Sequence, residues 1–237
     1  MRPGVRREKR LQIHGSVGAA LILSFAALAA PLFAQTLPSV PTAGYYASLH
    51  SQANNLGDSG APVLLEIYSD YQCPHCKALW QTTMRQIVAS YVATGKARIA
   101  SCSMGNRLSE HAKGNTESED AARAAYAASE QNLYWVYHDF LFTTQGKVNS
   151  GTFSVARLLE GARTAGLNLA QFQAAMASDE LKARVAREEQ EGKSRGVRIV
   201  PTVFVNGKPV EGEQPFETYR TAIEAALLAS REATGKQ

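Results

Sequence analysis

Cysteine is scarce in this chain: its 237 residues include only three, Cys73, Cys76 and Cys102. A small scaffold held together by disulfides would need a larger and even-numbered set. A structural zinc site needs about four nitrogen or sulfur ligands, and the sequence has no second Cys-x-x-Cys and no paired His/Cys cluster. The sequence therefore disfavours both classes and predicts no bound metal.

Excess charge is also missing once the first 34 residues are set aside. They hold five of the 25 basic residues and one of the 21 acidic residues, so the remainder carries 20 of each. A nucleic-acid-binding domain is expected to present a basic patch. The formal charge of +4 therefore belongs to the N-terminal segment, and we expect no nucleic-acid partner.

The N-terminal apolar stretch, Val17 to Ala30, is short for a membrane span, which takes about 20 residues. It follows a basic segment ending at Arg10 and precedes the small residue Ala34. This order is typical of an export signal. We expect residues 1–34 to be a signal peptide, with an uncleaved membrane anchor as the alternative. The folded part would then lie in the periplasm or another extracytoplasmic compartment, where disulfides persist.

Two of the three cysteines lie close together, in the tetrad Cys73-Pro74-His75-Cys76. The tetrad follows a short apolar run and opens a helical pattern, so helical N–H groups and the helix dipole favour a thiolate there. The thiolate is the form that attacks disulfides. We interpret Cys73 as the accessible nucleophile and Cys76 as the buried resolving thiol. A structural disulfide is the alternative, although so small a ring removes little chain entropy.

Four further side chains have two interpretations each. His75, when protonated, would favour the neighbouring thiolate, or it is an exposed histidine without a role. Cys102 ends a predicted strand, where a buried inert thiol is the commonest outcome and a regulatory thiol is the alternative. Trp135 and His138 are expected to pack the helical region rather than to touch substrate.

The order of predicted elements indicates an α/β fold with an all-helical insertion. Strands are predicted at Val63–Tyr68 and Ala97–Cys102 on either side of a helix at Cys73–Thr94. Helical periodicity then runs from Glu117 to Gly192, before a hairpin at Asn206-Gly207 and a last helix at Glu217–Ala233. We expect a linker at 35–60 with one short helical turn around Tyr45–Gln52, the α/β domain at 61–104 and 194–237, and the helical domain at 105–193.

The tetrad, the strand before it and the remote Val200-Pro201-Thr202 resemble the DsbA-like thioredoxin-fold oxidoreductases. The stretch Leu133 to Phe142 also resembles part of the inserted helical domain of that family. The resemblance covers roughly residues 60–232. It implies a thioredoxin-like fold and an enzyme that needs no metal or organic cofactor.

The resemblance also implies roles for three residues outside the tetrad. Family members have a cis-proline loop facing the Cys-x-x-Cys, which here would be Val200–Pro201, with the backbone of Val200 offering an edge to a substrate chain. Glu66 resembles an acid that exchanges protons with the resolving thiol. It lies one residue further from Cys73 than in the family, so an acid facing water is the alternative.

The implied function is an exported thiol:disulfide oxidoreductase that donates its Cys73–Cys76 disulfide to folding proteins with free thiols. A membrane partner would reoxidise the pair. Two alternatives stay open: a disulfide reductase or isomerase, and a thioredoxin-like binding module or chaperone without redox turnover. Related isomerases dimerise through an added N-terminal domain, for which residues 35–60 are too short, so we expect a monomer.

Overall fold

The computed structural model describes residues 41–105 and 114–235; the expected export signal at 1–34 lies outside these residues. Five strands form one sheet: β1 Asn55–Leu56, β2 Val63–Ser69, β3 Ala97–Ser103, β4 Thr202–Val205 and β5 Lys208–Glu211. Their order is β1-β3-β2-β4-β5. The β2–β3 pair is parallel and the other pairs are antiparallel.

The helices occupy the positions that the periodicity predicts. The described elements are α1 Ala43–Ser48; α2, made of consecutive α and π segments at Pro74–Leu79, Trp80–Met84, Arg85–Ile87 and Val88–Val92; α3 Glu117–Ser129; α4 Tyr134–Thr144; α5 Val155–Thr164; α6 Leu169–Met176; α7 Asp179–Ser194; and α8 Phe216–Thr234. Helices α3 to α7 lie between β3 and β4 in the chain, so the α/β fold with a helical insertion is confirmed. None of the helices described is both long and apolar enough to cross a bilayer.

Strand β2 separates two hydrophobic regions because its side chains alternate between the faces of the sheet. Leu65 and Ile67 belong to the large core, which also contains Cys76. Tyr68 belongs to a smaller cluster with Phe204. The residues of β2 on the Tyr68 face, including Glu66, therefore lie across the sheet from the tetrad.

Residues 41–57 differ from the linker expected at 35–60. The side chain of Thr42 accepts a hydrogen bond from Tyr45 N at 3.4 Å and begins α1. Tyr46 and Leu56 are buried in the core, and β1 extends the sheet beside β3. The short helical turn expected around Tyr45–Gln52 is present as α1. Strand β1 was not predicted, because a two-residue strand is too short to show a period.

The C-terminal hairpin confirms its sequence signal. Asn206 and Gly207 both have positive φ, at 45° and 81°, as a two-residue hairpin turn requires. Asn206 also accepts a hydrogen bond from Leu64 N at 2.7 Å through its side-chain oxygen. Pro209 lies on β5 at the edge of the sheet, where a missing N–H is tolerated. The hairpin fixes β4 directly after Pro201.

Candidate active site

The tetrad lies where β2 ends and α2 begins. Cys73 is the residue immediately before α2, and Pro74 occupies its first turn, a position that needs no backbone N–H. Cys73 N donates to Asp70 O at 3.0 Å, which forms the turn into the helix. The sulfur of Cys73 is thus placed at the N-terminal end of α2, as its sequence position predicts.

Cys73 is less accessible than expected: it is 5% exposed, against 2% for Cys76. The reason is the neighbouring loop, whose Val200 carbonyl oxygen lies 3.6 Å from Cys73 Sγ and accepts its S–H. The Val200–Pro201 peptide bond is cis, as the resemblance implied. The structure therefore brings Cys73, Val200 and Pro201 together.

The two thiols differ in acidity. A hydrogen bond from Cys76 lowers the pKa of Cys73 to about 6, against the opposing effect of burial; the backbone N–H groups of Cys76 and His75 and the charge of His75 lower it further. Burial raises the pKa of Cys76 well above its ordinary value, and its hydrogen bond to Cys73 adds to this. The thiolate is therefore favoured on Cys73, while Cys76 keeps its proton.

His75 has a charged partner that the sequence did not reveal. Its Nδ1 lies 2.9 Å from Oε2 of Glu213, a residue 138 positions further along the chain. This hydrogen bond, followed by the charge of Cys73, raises the pKa of His75. Glu213 follows β5 in a short connector without a motif, so only the folded hairpin shows its proximity to the tetrad.

Glu66 is not brought to Cys76. Arg195 holds both of its carboxylate oxygens, at 2.7 and 2.8 Å, on the Tyr68 face of the sheet. The acid beside the tetrad is Asp70, which is buried and accepts hydrogen bonds from Gln72 N and Ser118 Oγ at 2.8 Å. The alternation of side chains along β2 accounts for this difference from the expectation.

Two residues of the helical insertion, Gln145 and Asn149, contact the tetrad and the two residues before it. Gln145 Nε2 donates to the carbonyl oxygens of Tyr71 and Cys73, at 2.5 and 3.0 Å. Gln72 accepts a hydrogen bond from Asn149 N at 2.6 Å. Sequence patterns did not single out these residues, because amide side chains in loops carry no periodic signal. The loop after α4 thus helps to fix the backbone of Cys73.

The remaining three candidates pack as expected. Burial raises the pKa of Cys102 to about 12, so its thiol stays protonated at neutral pH. Trp135 and His138 are buried side by side, with ring centroids 5.1 Å apart. Burial also lowers the pKa of His138 well below its ordinary value. Trp135 and His138 also contact Trp80 of α2, so these two residues join the helical insertion to the helix that begins with the tetrad.

Alkylation should report the acidity of Cys73 directly. In the reduced protein, the rate of reaction with iodoacetamide is expected to rise with pH through a midpoint near 6. An ordinary thiol has its midpoint at about 8.5. Peptide mass mapping gives the rate at each cysteine, and Cys102 is the internal control that stays slow at neutral pH. A Cys73 midpoint above about 8 would contradict the inferred stabilisation of its thiolate.

Comparison with known proteins now decides the family. The family model described as "Thioredoxin" matches residues 51–225, which include the tetrad and Pro201. The chain belongs to the thioredoxin family. The resemblance to its DsbA-like oxidoreductases is confirmed by the fold and by the relatives below.

Three proteins illustrate what this thioredoxin-family chain is similar to. The probable disulfide bond formation protein D of Bacillus anthracis is 22% identical over 180 residues, which cover 75% of this chain and 80% of that protein. Oxidised BdbD from Bacillus subtilis has a TM-score of 0.65 at 19% identity, covering 76% of this chain and 94% of that one. The Na(+)/H(+) antiporter NhaA 3 of Salinispora tropica is 27% identical over 175 residues, 74% of this chain, so the chain spans 25% of that relative's length.

Proposed function

We propose that this chain is an exported thiol:disulfide oxidoreductase that donates the Cys73–Cys76 disulfide to folding proteins with free thiols. The observation that carries the proposal is the placement of the two thiols at the start of α2: Cys73 precedes the helix with its Sγ 3.6 Å from the Val200 carbonyl oxygen, and Cys76 in the first turn is only 2% exposed. The lowered pKa of Cys73 and the raised pKa of Cys76 agree with this placement. A thiolate stabilised on Cys73 stabilises the reduced protein and makes the disulfide a stronger oxidant. The similarity to a protein named for disulfide bond formation supports the same direction.

The exchange proceeds in two steps. A substrate thiolate attacks Cys73 Sγ of the disulfide, the Cys73–Cys76 bond breaks, and Cys76 leaves with the electron pair and takes up a proton. A second substrate thiolate then attacks the substrate sulfur of the mixed disulfide and expels Cys73 as a thiolate. The low pKa of Cys73 makes it a good leaving group in this step. The substrate loses two electrons, the pair gains them, and no metal or organic cofactor is needed.

The cis-proline loop has a place in this scheme. The Val200 carbonyl oxygen lies 3.6 Å from Cys73 Sγ, so an extended substrate chain lying along Val200 would bring its own sulfur towards Cys73. Pro201 O accepts a hydrogen bond from Gly212 N at 2.8 Å, which ties the loop to the C-terminal hairpin. We propose that Val200 aligns the substrate backbone. We propose further that the protein acts as a monomer and that a membrane partner reoxidises Cys73 and Cys76.

The reduction potential tests the direction of electron flow. Equilibration with glutathione should give a potential less negative than the value of about −270 mV for thioredoxin, towards that of about −120 mV for DsbA. A potential near that of thioredoxin would contradict donation and favour a reductase. Recovery of activity from scrambled ribonuclease without added oxidant would instead favour an isomerase.

Stability against pH gives an independent measure of the same thiolate. The pKa of Cys73 is lower in the folded reduced protein than in the unfolded chain. The thiolate therefore stabilises the reduced fold above the unfolded pKa, and this stabilisation is lost as pH falls through about 6. Urea unfolding should show that the free energy of unfolding of the reduced form, relative to that of the oxidised form, is higher at pH 7.5 than at pH 5. The difference due to the thiolate should disappear near pH 5. A difference that does not change with pH would contradict the assignment.

A further inference from the structure

The pair formed by His75 and Glu213 lies on the exposed surface beside Cys73. Their closest atoms are 2.9 Å apart, and the side chains are 69% and 38% exposed. An exposed ion pair contributes little to folding stability. Any effect of this pair is therefore expected in the chemistry of the neighbouring thiol rather than in the stability of the fold.

The connector that carries Glu213 is anchored on both sides. Gly212 N donates to Pro201 O at 2.8 Å, which holds the preceding residue to the cis-proline loop. Thr83 Oγ1 donates to Gln214 O at 3.1 Å, which holds the following residue to α2. Glu213 thus lies between two fixed points, and the backbone presents its carboxylate to the first turn of α2.

A cation in the first turn of a helix is disfavoured by the positive end of the helix dipole. His75 occupies that turn, and a carboxylate at hydrogen-bond distance compensates for the dipole. The charged groups that act on His75 are Glu213, from the connector, and Cys73, on its own side. The imidazolium of His75 thus interacts with two anions, the carboxylate of Glu213 and the thiolate of Cys73.

We infer that Glu213 is a positioning residue for the thiol chemistry, which holds His75 in its charged form beside Cys73. Glu213 acts through the imidazole and not on the sulfur itself. A protonated His75 favours the Cys73 thiolate, so the Glu213 carboxylate favours that thiolate indirectly, through the imidazole. This inference rests on the proposed function for its biological meaning.

A direct effect of Glu213 would have the opposite sign. A carboxylate that acted on Cys73 only through its own charge would disfavour the thiolate. Removing that charge would then speed the reaction of Cys73, with or without His75. Removing it under our inference slows the reaction, and only while His75 is present. The two mechanisms are therefore separable by one set of variants.

The experiment compares iodoacetamide alkylation of Cys73 between pH 5 and 8 in the full chain, Glu213→Gln, His75→Ala and the double variant. At pH 6, Glu213→Gln is expected to slow the alkylation by about two- to fivefold and to raise the midpoint. In the His75→Ala background the same substitution should change nothing. Unchanged or faster alkylation in Glu213→Gln, or equal slowing in both backgrounds, would overturn the inference.

Glu217→Gln is the matched control, because Glu217 is an exposed acid of the same region paired with Arg220; it should behave like the parent chain. The titration of the His75 ring by NMR gives a second readout, and its midpoint should fall in Glu213→Gln. Neither measurement requires turnover. A protein that fails to oxidise substrates would end the proposed function and leave these profiles interpretable, while unaltered profiles would end only this inference.

Discussion

Cys73→Ser is expected to lower the rate at which the protein oxidises a reduced dithiol peptide by more than about a thousandfold. A serine hydroxyl cannot form the disulfide with Cys76 or the mixed disulfide with substrate. The fold should persist, because the substitution replaces one buried atom by a smaller one at the start of α2. Peptide oxidation, followed by mass spectrometry, measures the loss.

Cys102→Ser is the matched control for this loss. Cys102 carries the same thiol and is half-buried, where Cys73 is buried, and it lies on β3 with a pKa raised to about 12. Its variant should keep nearly full activity. Equal losses in both variants would mean that the substitution harms the fold rather than the chemistry. Full biological activity in Cys73→Ser would support a binding module or chaperone without redox turnover.

Cys76→Ala should give the complementary result. Cys73 can still attack a disulfide, but the buried thiol that resolves the product is gone. The variant is expected to accumulate mixed disulfides on Cys73, visible as reducible bands on a gel. Each trapped species forms when the Cys73 thiolate attacks a disulfide of another protein and releases one thiolate, so trapping from an extract would identify proteins that present a disulfide to Cys73, the proposed reoxidising partner among them.

The sequence allowed the tetrad, the helices and the C-terminal hairpin to be predicted because each depends on residues close together in the chain. Cys73 to Cys76 open a helix that starts with proline, and Asn206-Gly207 satisfies the turn on its own. The cis bond at Pro201 came from the family resemblance, because most X–Pro bonds are trans.

What could not be predicted depends on which side chains meet across the fold. Predicting the partner of Glu66 would have needed the register of β2 against the helices, because only that register shows that Glu66 faces Arg195 rather than Cys76. Glu213 required the hairpin to return to α2. Residues 41–57 required the partners that bury Tyr46 and Leu56. In each case the deciding contact joins residues far apart in the chain, such as Glu66 and Arg195, His75 and Glu213, or Leu56 and Ile99, and local periodicity does not identify such partners.

A buried polar network shows the same limit and leads to the second large effect. Asp139 in α4 has a side chain only 1% exposed. Its carboxylate accepts hydrogen bonds from Arg85 Nη2 and Trp80 Nε1, both at 2.6 Å, and from the hydroxyl of Tyr46. One carboxylate thus joins α1, α2 and the helical insertion.

Asp139→Ala is expected to lower the free energy of unfolding by about 3–5 kcal/mol, since it leaves a partly buried guanidinium without its anion and two buried donors without an acceptor. Urea denaturation measures the loss. Limited proteolysis should also cut within residues 41–50, because Tyr46 loses a bond that holds α1. Asp139→Asn, which keeps an acceptor, should cost less than Asp139→Ala.

Glu217→Ala provides the comparison, because it removes a carboxylate of an exposed pair with Arg220 and should cost less than about 1 kcal/mol. If Asp139→Ala were no more destabilising than Glu217→Ala, the network would not hold the insertion to α2. A large loss of stability with the pH midpoint of Cys73 alkylation unchanged would show that the network supports the fold and that the acidity of Cys73 is set by the tetrad and its immediate neighbours. Trp80, which binds Asp139, lies in α2 only four residues beyond Cys76. The Asp139→Ala variant therefore tests whether the start of α2 sets the pKa of Cys73 independently of the network that holds the same helix.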